Sequence, residues 1–202
     1  VGQQVEETDT VQVGKKILQG KQTQKVLAFY KPVGVTCTER DPHAEKKIMD
    51  MIRYPERLTY AGRLDKDSEG LILLTNDGDL INAMMRGANR HEKEYIVKTD
   101  REITPDFLEK MAKGIYLKDL DITTRECEIE QIGKFTFRIV LTQGVNRQIR
   151  RMCEACGYRV KALKRIRIMN ILLGDLKPGK WREVTGEELG QLQRDTGMLN
   201  RN

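Results

Sequence analysis

Histidine is nearly absent from this 202-residue chain: His43 and His91 are the only two. A histidine-rich metal centre cannot be built from them. Cysteine is scarce as well. Cys37, Cys127, Cys153 and Cys156 are too few over this length for a disulfide framework, and they read as reduced thiols. Cys153 and Cys156 form a single CxxC, but both fall in a stretch expected to be helical. A structural zinc site needs four ligands, so this pair reads as core thiols. No run approaches the roughly 18 apolar residues of a membrane span, and the first residues do not form a signal peptide. The expectation is a cytoplasmic protein with no membrane partner. The patterns GxxxxGKS/T, GxGxxG and GxSxG do not occur, which removes the usual phosphate-cradling loops and the nucleophile elbow. Chemistry must then come from carboxylates, Tyr, Lys and Arg, with neither a metal nor an organic cofactor expected.

What is present suits a soluble globular domain: 39% of residues are hydrophobic and 33% charged, with a net charge of +6. The distribution of charge says more than its sum. Between Gly144 and Met169 lie eight Lys or Arg residues and one acid, Glu154. Nucleic-acid phosphate would neutralise such a run; the alternative is a merely solvated basic face.

Residues 1–24 are polar, with one strand-like alternation over Thr10–Lys16, and read as a tail or linker. From Lys25 the pattern changes. Val26–Tyr30 reads as a buried strand closed by Lys31, Pro32 and Gly34. Asp41 and Pro42 predict a helix start, with Ile48, Met51 and Ile52 as its apolar stripe. Leu58–Tyr60 and Leu71–Leu74 are strand-like, and Asn76, Asp77 and Gly78 form a turn before a helix through Leu80, Ile81, Met84 and Met85. A strand is expected around Tyr95–Val97. Thr104 and Pro105 open a helix that Gly114 closes. Residues 122–131 and 134–142 alternate as a hairpin about Gly133. Asn146–Cys156 predicts a helix stopped by Gly157, Val160–Leu173 one or two strands, and Thr185 with Glu188 a capping box for a last helix. Strands and helices mix without regular alternation, which favours an α+β fold over a doubly wound sheet.

Between the two short apolar strands lies a loop with three carboxylates, Asp65, Asp67 and Glu69. Buried carboxylates need partners or they protonate, so the loop is either functional or a set of solvent-exposed turn residues. Polarity alone does not separate these readings.

The segment GRLDKDSEGLILLTNDGDL at residues 62–80 resembles the active-site motif of the RsuA-like group of ribosomal RNA pseudouridine synthases. KPVGV at 31–35, HEKEYIV at 91–97, LTQGVNRQIRRMCEACGY at 141–158 and RIRIMNILLGDLKPGKWREVTGEEL at 165–189 resemble further segments of that family in the same order. The likeness spans roughly residues 25–190. The HEKEY and NRQIRRMCE wording is most similar to the RluF-type branch, with RluB and RluE types close by. VGQQVEETDTVQVGKKI resembles the last strands of an S4 RNA-binding domain. The implied organisation is an S4 remnant with linker over 1–24 and a catalytic domain over 25–202.

The resemblance implies a pseudouridine synthase fold: a mixed, mostly antiparallel sheet in two lobes flanked by helices, with the catalytic cleft across it. It implies isomerisation of uridine to pseudouridine in bacterial 23S ribosomal RNA or an assembling large subunit, without a cofactor. Asp65 corresponds to the essential aspartate, Tyr95 to the active-site tyrosine, and Arg150 to the basic residue that pairs with the aspartate. Arg63 is expected to position base or RNA. Asn146, Arg147, Arg151, Lys161, Lys164, Arg165 and Arg167 are expected to hold RNA, the basic residues on its phosphates. Asp67 and Glu69 would shape the loop. A synthase acting on transfer RNA or small-subunit RNA, and a non-catalytic ribosome-assembly module, are the competing readings. No spare amphipathic face stands out, so a monomer is expected.

Overall fold

The computed structural model describes residues 11–13, 16–18, 23–38, 47–86 and 90–198. In chain order its strands and helices are β1 (Val11–Val13), β2 (Lys16–Leu18), β3 (Val26–Lys31), α1 (Ile48–Met51), β4 (Thr59–Tyr60), β5 (Glu69–Thr75), α2 (Gly78–Arg86), β6 (Lys93–Thr99) and α3 (Pro105–Lys113). They continue with β7 (Tyr116–Leu117), β8 (Ile122–Thr123), β9 (Glu128–Gly133), β10 (Thr136–Leu141), α4 (Gln148–Ala155), β11 (Val160–Ile168), β12 (Ile171–Leu172), β13 (Trp181–Glu183) and α5 (Gly186–Asp195). The expected start of the first helix at Asp41 and Pro42 lies outside the described residues. Where one strand was expected over Thr10–Lys16, β1 and β2 pair antiparallel, separate from the main sheet.

The main sheet runs β13-β3-β5-β11-β6-β10-β9, with β4 on β5 and β12 on β11. Every pairing is antiparallel except β5 with β11, whose parallel register is Lys164 to Glu69 and Arg165 to Gly70. This short parallel seam joins two lobes of different character. In the first, β3 and β5 are apolar on both faces: Val26, Ala28, Leu71 and Leu73 pack with Leu80, Met84 and Leu192 from α2 and α5, while Leu27, Phe29, Ile72 and Leu74 pack with Ile48 of α1. A strand buried on both sides has to be a continuous apolar run, which is how VLAFY and LILL read. In the second lobe the sheet is covered on one face among the described residues. Val97, Phe137, Ile139 and Leu163 pack beneath Phe107 and Met111 of α3 and Ile149 and Met152 of α4. Their strand neighbours Glu94, Arg138, Lys164 and Arg167 point to the open face, so these strands alternate in sequence.

Helix ends follow their signals with two exceptions. Thr104 Oγ1 accepts from the Phe107 amide at 3.1 Å, with Pro105 at the first helical position, as expected. The Thr185–Glu188 capping box does not form, because Arg182 takes the Glu188 carboxylate in a bidentate pair at 2.6 and 3.1 Å. Helix α4 begins at Gln148, two residues later than expected, since Arg147 at its N-cap has φ of 51°. The strand expected over 122–131 is split: Ile122–Thr123 pairs with β7, and only Glu128 onward joins β10.

Candidate active site

The loop between β4 and β5 carries Asp65, and its main chain is held at every step. The carbonyls of residues 63 to 67 all accept hydrogen bonds. Arg63 O takes one from Arg165 Nη1 at 3.3 Å, and Leu64 O one from the Cys37 thiol at 3.2 Å. Asp65 O takes the Ser68 amide at 3.1 Å. Lys66 O takes the Gly34 amide at 2.8 Å and Lys31 Nζ at 3.3 Å, and Asp67 O takes Arg150 Nη2 at 3.0 Å. A loop pinned this densely fixes where the Asp65 carboxylate points.

Lys31 is the deepest of these anchors. Its ammonium is wholly buried and donates to the carbonyls of Pro32 and Val35, both at 2.7 Å, as well as to Lys66. Burial lowers its pKa to about 8, against the opposing pull of nearby Cys37, Asp65, Asp67 and Glu69. Gly70, which follows the loop, is the other fixed point. Its φ is +112°, and a Cβ there would stand 2.2 Å from Arg165 O across the parallel seam. Only glycine lets β5 and β11 approach so closely.

Asp65 borders a cleft of about 300 Å³ formed by the loop, β6, β11 and the segment leading into α4. The cleft brings together Arg63, Asp65, Tyr95, Asn146, Arg147, Arg150 and Arg165, seven of the residues singled out from sequence. Tyr95 sits on the inward face of β6, directly across from Arg165 and Ile139. Arg63 is exposed at the rim.

The ion pairs differ from expectation. Arg147, assigned to phosphate, is the residue that reaches Asp65, at 3.4 Å, while also gripping Asp67 with bonds of 3.0 and 2.9 Å. That grip holds the Asp67 carboxyl below the usual carboxylate range. Arg150, expected on Asp65, instead donates to Asp67 O and Ser68 Oγ and lies 3.5 Å from the Asp67 carboxylate. The left-handed turn at Arg147 is what swings its side chain to the loop ahead of the helix. Asp67 therefore shapes the loop as expected. Glu69 is the first residue of β5, where it accepts from Tyr30 Oη at 3.1 Å.

The basic run is likewise divided. Arg165 is 4% exposed and donates Nε to Leu71 O at 2.8 Å, so it is part of the cleft wall and not a surface phosphate contact. Lys164 and Arg167 register with Ile96 and Glu94 on the opposite face of the sheet from Tyr95, and Arg167 pairs there with Glu92 at 3.0 Å. Lys161 is exposed at a register break in β11. Arg151 braces Asn146 through its carbonyl at 2.9 Å. Sequence reasoning passed over Lys93 and Met85, which also border the cleft. The spacing Lys93-Glu94-Tyr95 on a strand could have found Lys93, since residues two apart share a face. Among the described residues no group of three or more His, Cys, Asp or Glu side chains could hold a metal ion, and no helix is long and apolar enough to cross a membrane.

Comparison with known proteins fits this geometry. The chain is 44% identical over 191 residues to the dual-specificity RNA pseudouridine synthase RluF of Escherichia coli K12, covering 94% of this chain and 65% of that protein. It is 34% identical over 178 residues to the ribosomal large subunit pseudouridine synthase B of Vibrio cholerae, covering 84% of this chain and 54% of that one. It thus spans about two thirds of the length of the first and about half of the second. A crystal structure of a pseudouridylate synthase superposes with a TM-score of 0.79 at 26% identity, covering 94% of this chain and 82% of that one. Residues 25–155 match the family described as RNA pseudouridylate synthase, and the chain belongs to that family.

Proposed function

We propose that this protein isomerises uridine to pseudouridine in ribosomal RNA, with the large-subunit 23S RNA as its target and Asp65 as its catalytic carboxylate. The observation that carries the reading is Asp65 itself, on a loop whose successive carbonyls are all tethered, beside Tyr95 in a cationic cleft. The names of the Escherichia and Vibrio relatives support the reaction, and the Vibrio name supports the large subunit.

The reaction breaks the C1′–N1 bond, turns the base and forms a C1′–C5 bond, with no net oxidation or hydrolysis. The uridine must leave its stack to reach the cleft. Asp65 compensates the positive charge that develops at C1′, as carboxylates do in glycosidic cleavage. Tyr95 stacks on the freed ring and its hydroxyl serves proton removal from C5. Arg147 orients the Asp65 carboxylate, Arg150 holds the loop beneath it, and Arg63 at the rim meets the RNA. The chain acts as a monomer.

The test is single-turnover conversion of a 23S RNA fragment by the purified protein. Asp65→Ala should abolish pseudouridine formation while RNA affinity stays near wild type. Conversion by that variant at the wild-type rate would overturn the assignment. It would also favour a non-catalytic RNA-binding role if the biological effect of the gene persisted. The designation of the Escherichia relative as dual-specificity favours a second target beside the first. Mapping pseudouridine in ribosomal and transfer RNA with and without the gene separates one target class from two.

A further inference from the structure

Five cations and one carboxylate border the cleft among its described residues: Arg63, Lys93, Arg147, Arg150 and Arg165 against Asp65. Arg147 and Arg150 are engaged with the acidic loop. Arg63 is exposed at the rim. Lys93 and Arg165 are different. Neither has a carboxylate partner among the described residues, and both lie on the inward face of the sheet, flanking Tyr95. Arg165 is the cross-strand neighbour of Tyr95, and Lys93 stands two residues before it on β6. The guanidinium of Arg165 donates to two main-chain carbonyls, which engage two of its five N–H groups without cancelling its charge. The two cations feel each other: burial lowers the Lys93 pKa, and Arg165 beside it lowers it further. Two unneutralised cations brought together against their own repulsion call for an anion between them and the cleft.

We propose that Lys93 and Arg165 form a cationic floor that takes the negative charge of the uracil ring as it departs from the sugar. The inference rests on the function proposed above. When C1′–N1 breaks, the electron pair stays with N1 and the charge spreads over N1, O2 and O4 of the ring. Asp65 meets the positive end of the broken bond, and the floor beside Tyr95 meets the negative end. The ring turns, C5 bonds to C1′, the C5 proton leaves and N1 takes up a proton, so the product is an isomer of the substrate. Fixed charges aimed at a charge that exists only as the bond breaks lower the barrier without tightening ground-state binding.

The test compares two RNAs that differ in the acidity of the departing base, one with uridine and one with 5-fluorouridine at the target position. Their consumption is followed in single turnover. The fluorinated ring carries negative charge more easily and depends less on the floor. Lys93→Met should lose about 100-fold in rate on uridine RNA, and the loss should shrink to about tenfold or less on 5-fluorouridine RNA, with RNA affinity within about twofold of wild type. Lys93→Arg, which keeps the charge, should recover most of the rate, and so should Arg165→Lys relative to Arg165→Met. Thermal melts confirm that each variant is folded. Equal losses on both RNAs, or no loss from Lys93→Met, overturn the proposal and leave the uridine reading intact. So does a loss confined to affinity, which would mean that the floor holds a backbone phosphate instead. If the wild type consumes neither RNA, the function reading fails and this inference falls with it.

Discussion

At the scale of single residues, Lys31 and the two arginines of α4 make separable predictions. Lys31→Met removes a side chain that reaches three buried or half-buried carbonyls at once. Lys66 O keeps the Gly34 amide, but leaving the Pro32 and Val35 carbonyls unpaired costs more than the lost charge burial returns, so a destabilisation of about 2–4 kcal/mol is expected in urea unfolding. The sign of its pH dependence follows from the lowered pKa. Below about 8 Lys31 is charged in both folded and unfolded chains, and the cost of burying that charge is fully present. Between about 8 and the unfolded value of 10.5 only the unfolded chain keeps the proton, so this contribution to stability rises with pH. Hence the stability gap between wild type and Lys31→Met should widen as pH is raised from 8 to 10. A gap that narrows would mean Lys31 is buried with its pKa raised.

Arg147 and Arg150 lie three residues apart and reach the same loop, and the motif resemblance pointed to Arg150 as the partner of Asp65, whereas Arg147 is the one that meets it. The left-handed backbone at Arg147 decides it, and such a conformation in a residue other than glycine has no sequence signature here. Arg147→Met should lower turnover by roughly tenfold to a hundredfold through a misdirected Asp65, with the fold intact. Arg150→Met should impair turnover too, through the loop main chain at Asp67 and Ser68. If Arg147→Met turned over normally while Arg150→Met did not, the pairing seen between Arg147 and Asp65 would not be the one that matters in catalysis.

At the scale of elements, the seam between β5 and β11 is the structural condition of the site. It places Arg165 under the loop and lets the two lobes share one cleft. Gly70→Ala should therefore act far beyond its size. The added Cβ meets main chain 2.2 Å away, with a φ that side chains avoid, so neither neighbour can yield cheaply. A loss of about 3 kcal/mol or more is expected from the forced separation of the strands. A melting temperature near wild type in Gly70→Ala would show that the seam tolerates opening. Much of this level was legible in advance. Continuous apolar runs marked β3 and β5, alternation marked β9 and β10, and Thr104 with Pro105 marked α3, because each signal is local. The parallel seam was not, since Glu69 and Arg165 lie far apart in the chain and no local pattern registers them. The capping box failed for a different reason: Arg182 on β13, only six residues before Glu188, takes its carboxylate.

At the scale of the whole molecule, the basic run of residues 144–169 looked like one RNA-binding surface and is two. Arg147 at the N-cap of α4 and Arg150 within it face the cleft with Arg63, whereas Lys164 and Arg167 fall on the open side of the sheet because strand residues alternate. There Arg167 is already matched by Glu92 and Glu94, and Arg138 is matched by Glu94, Glu128 and Glu130. That face carries both signs of charge and offers little to a polyanion. An RNA seated over the cleft should release counterions only where it meets a cation, so removing any one of those cations flattens the salt dependence of binding. Arg63→Ala should weaken RNA binding and reduce the slope of log affinity against log salt by about one. The double substitution of Lys164 and Arg167 by Ala should leave both affinity and slope near wild type, although it removes twice the charge. The same slope change from both variants would mean that RNA wraps the sheet edge and touches both faces, and a flat salt response in wild type would remove phosphate from the account of the basic run altogether.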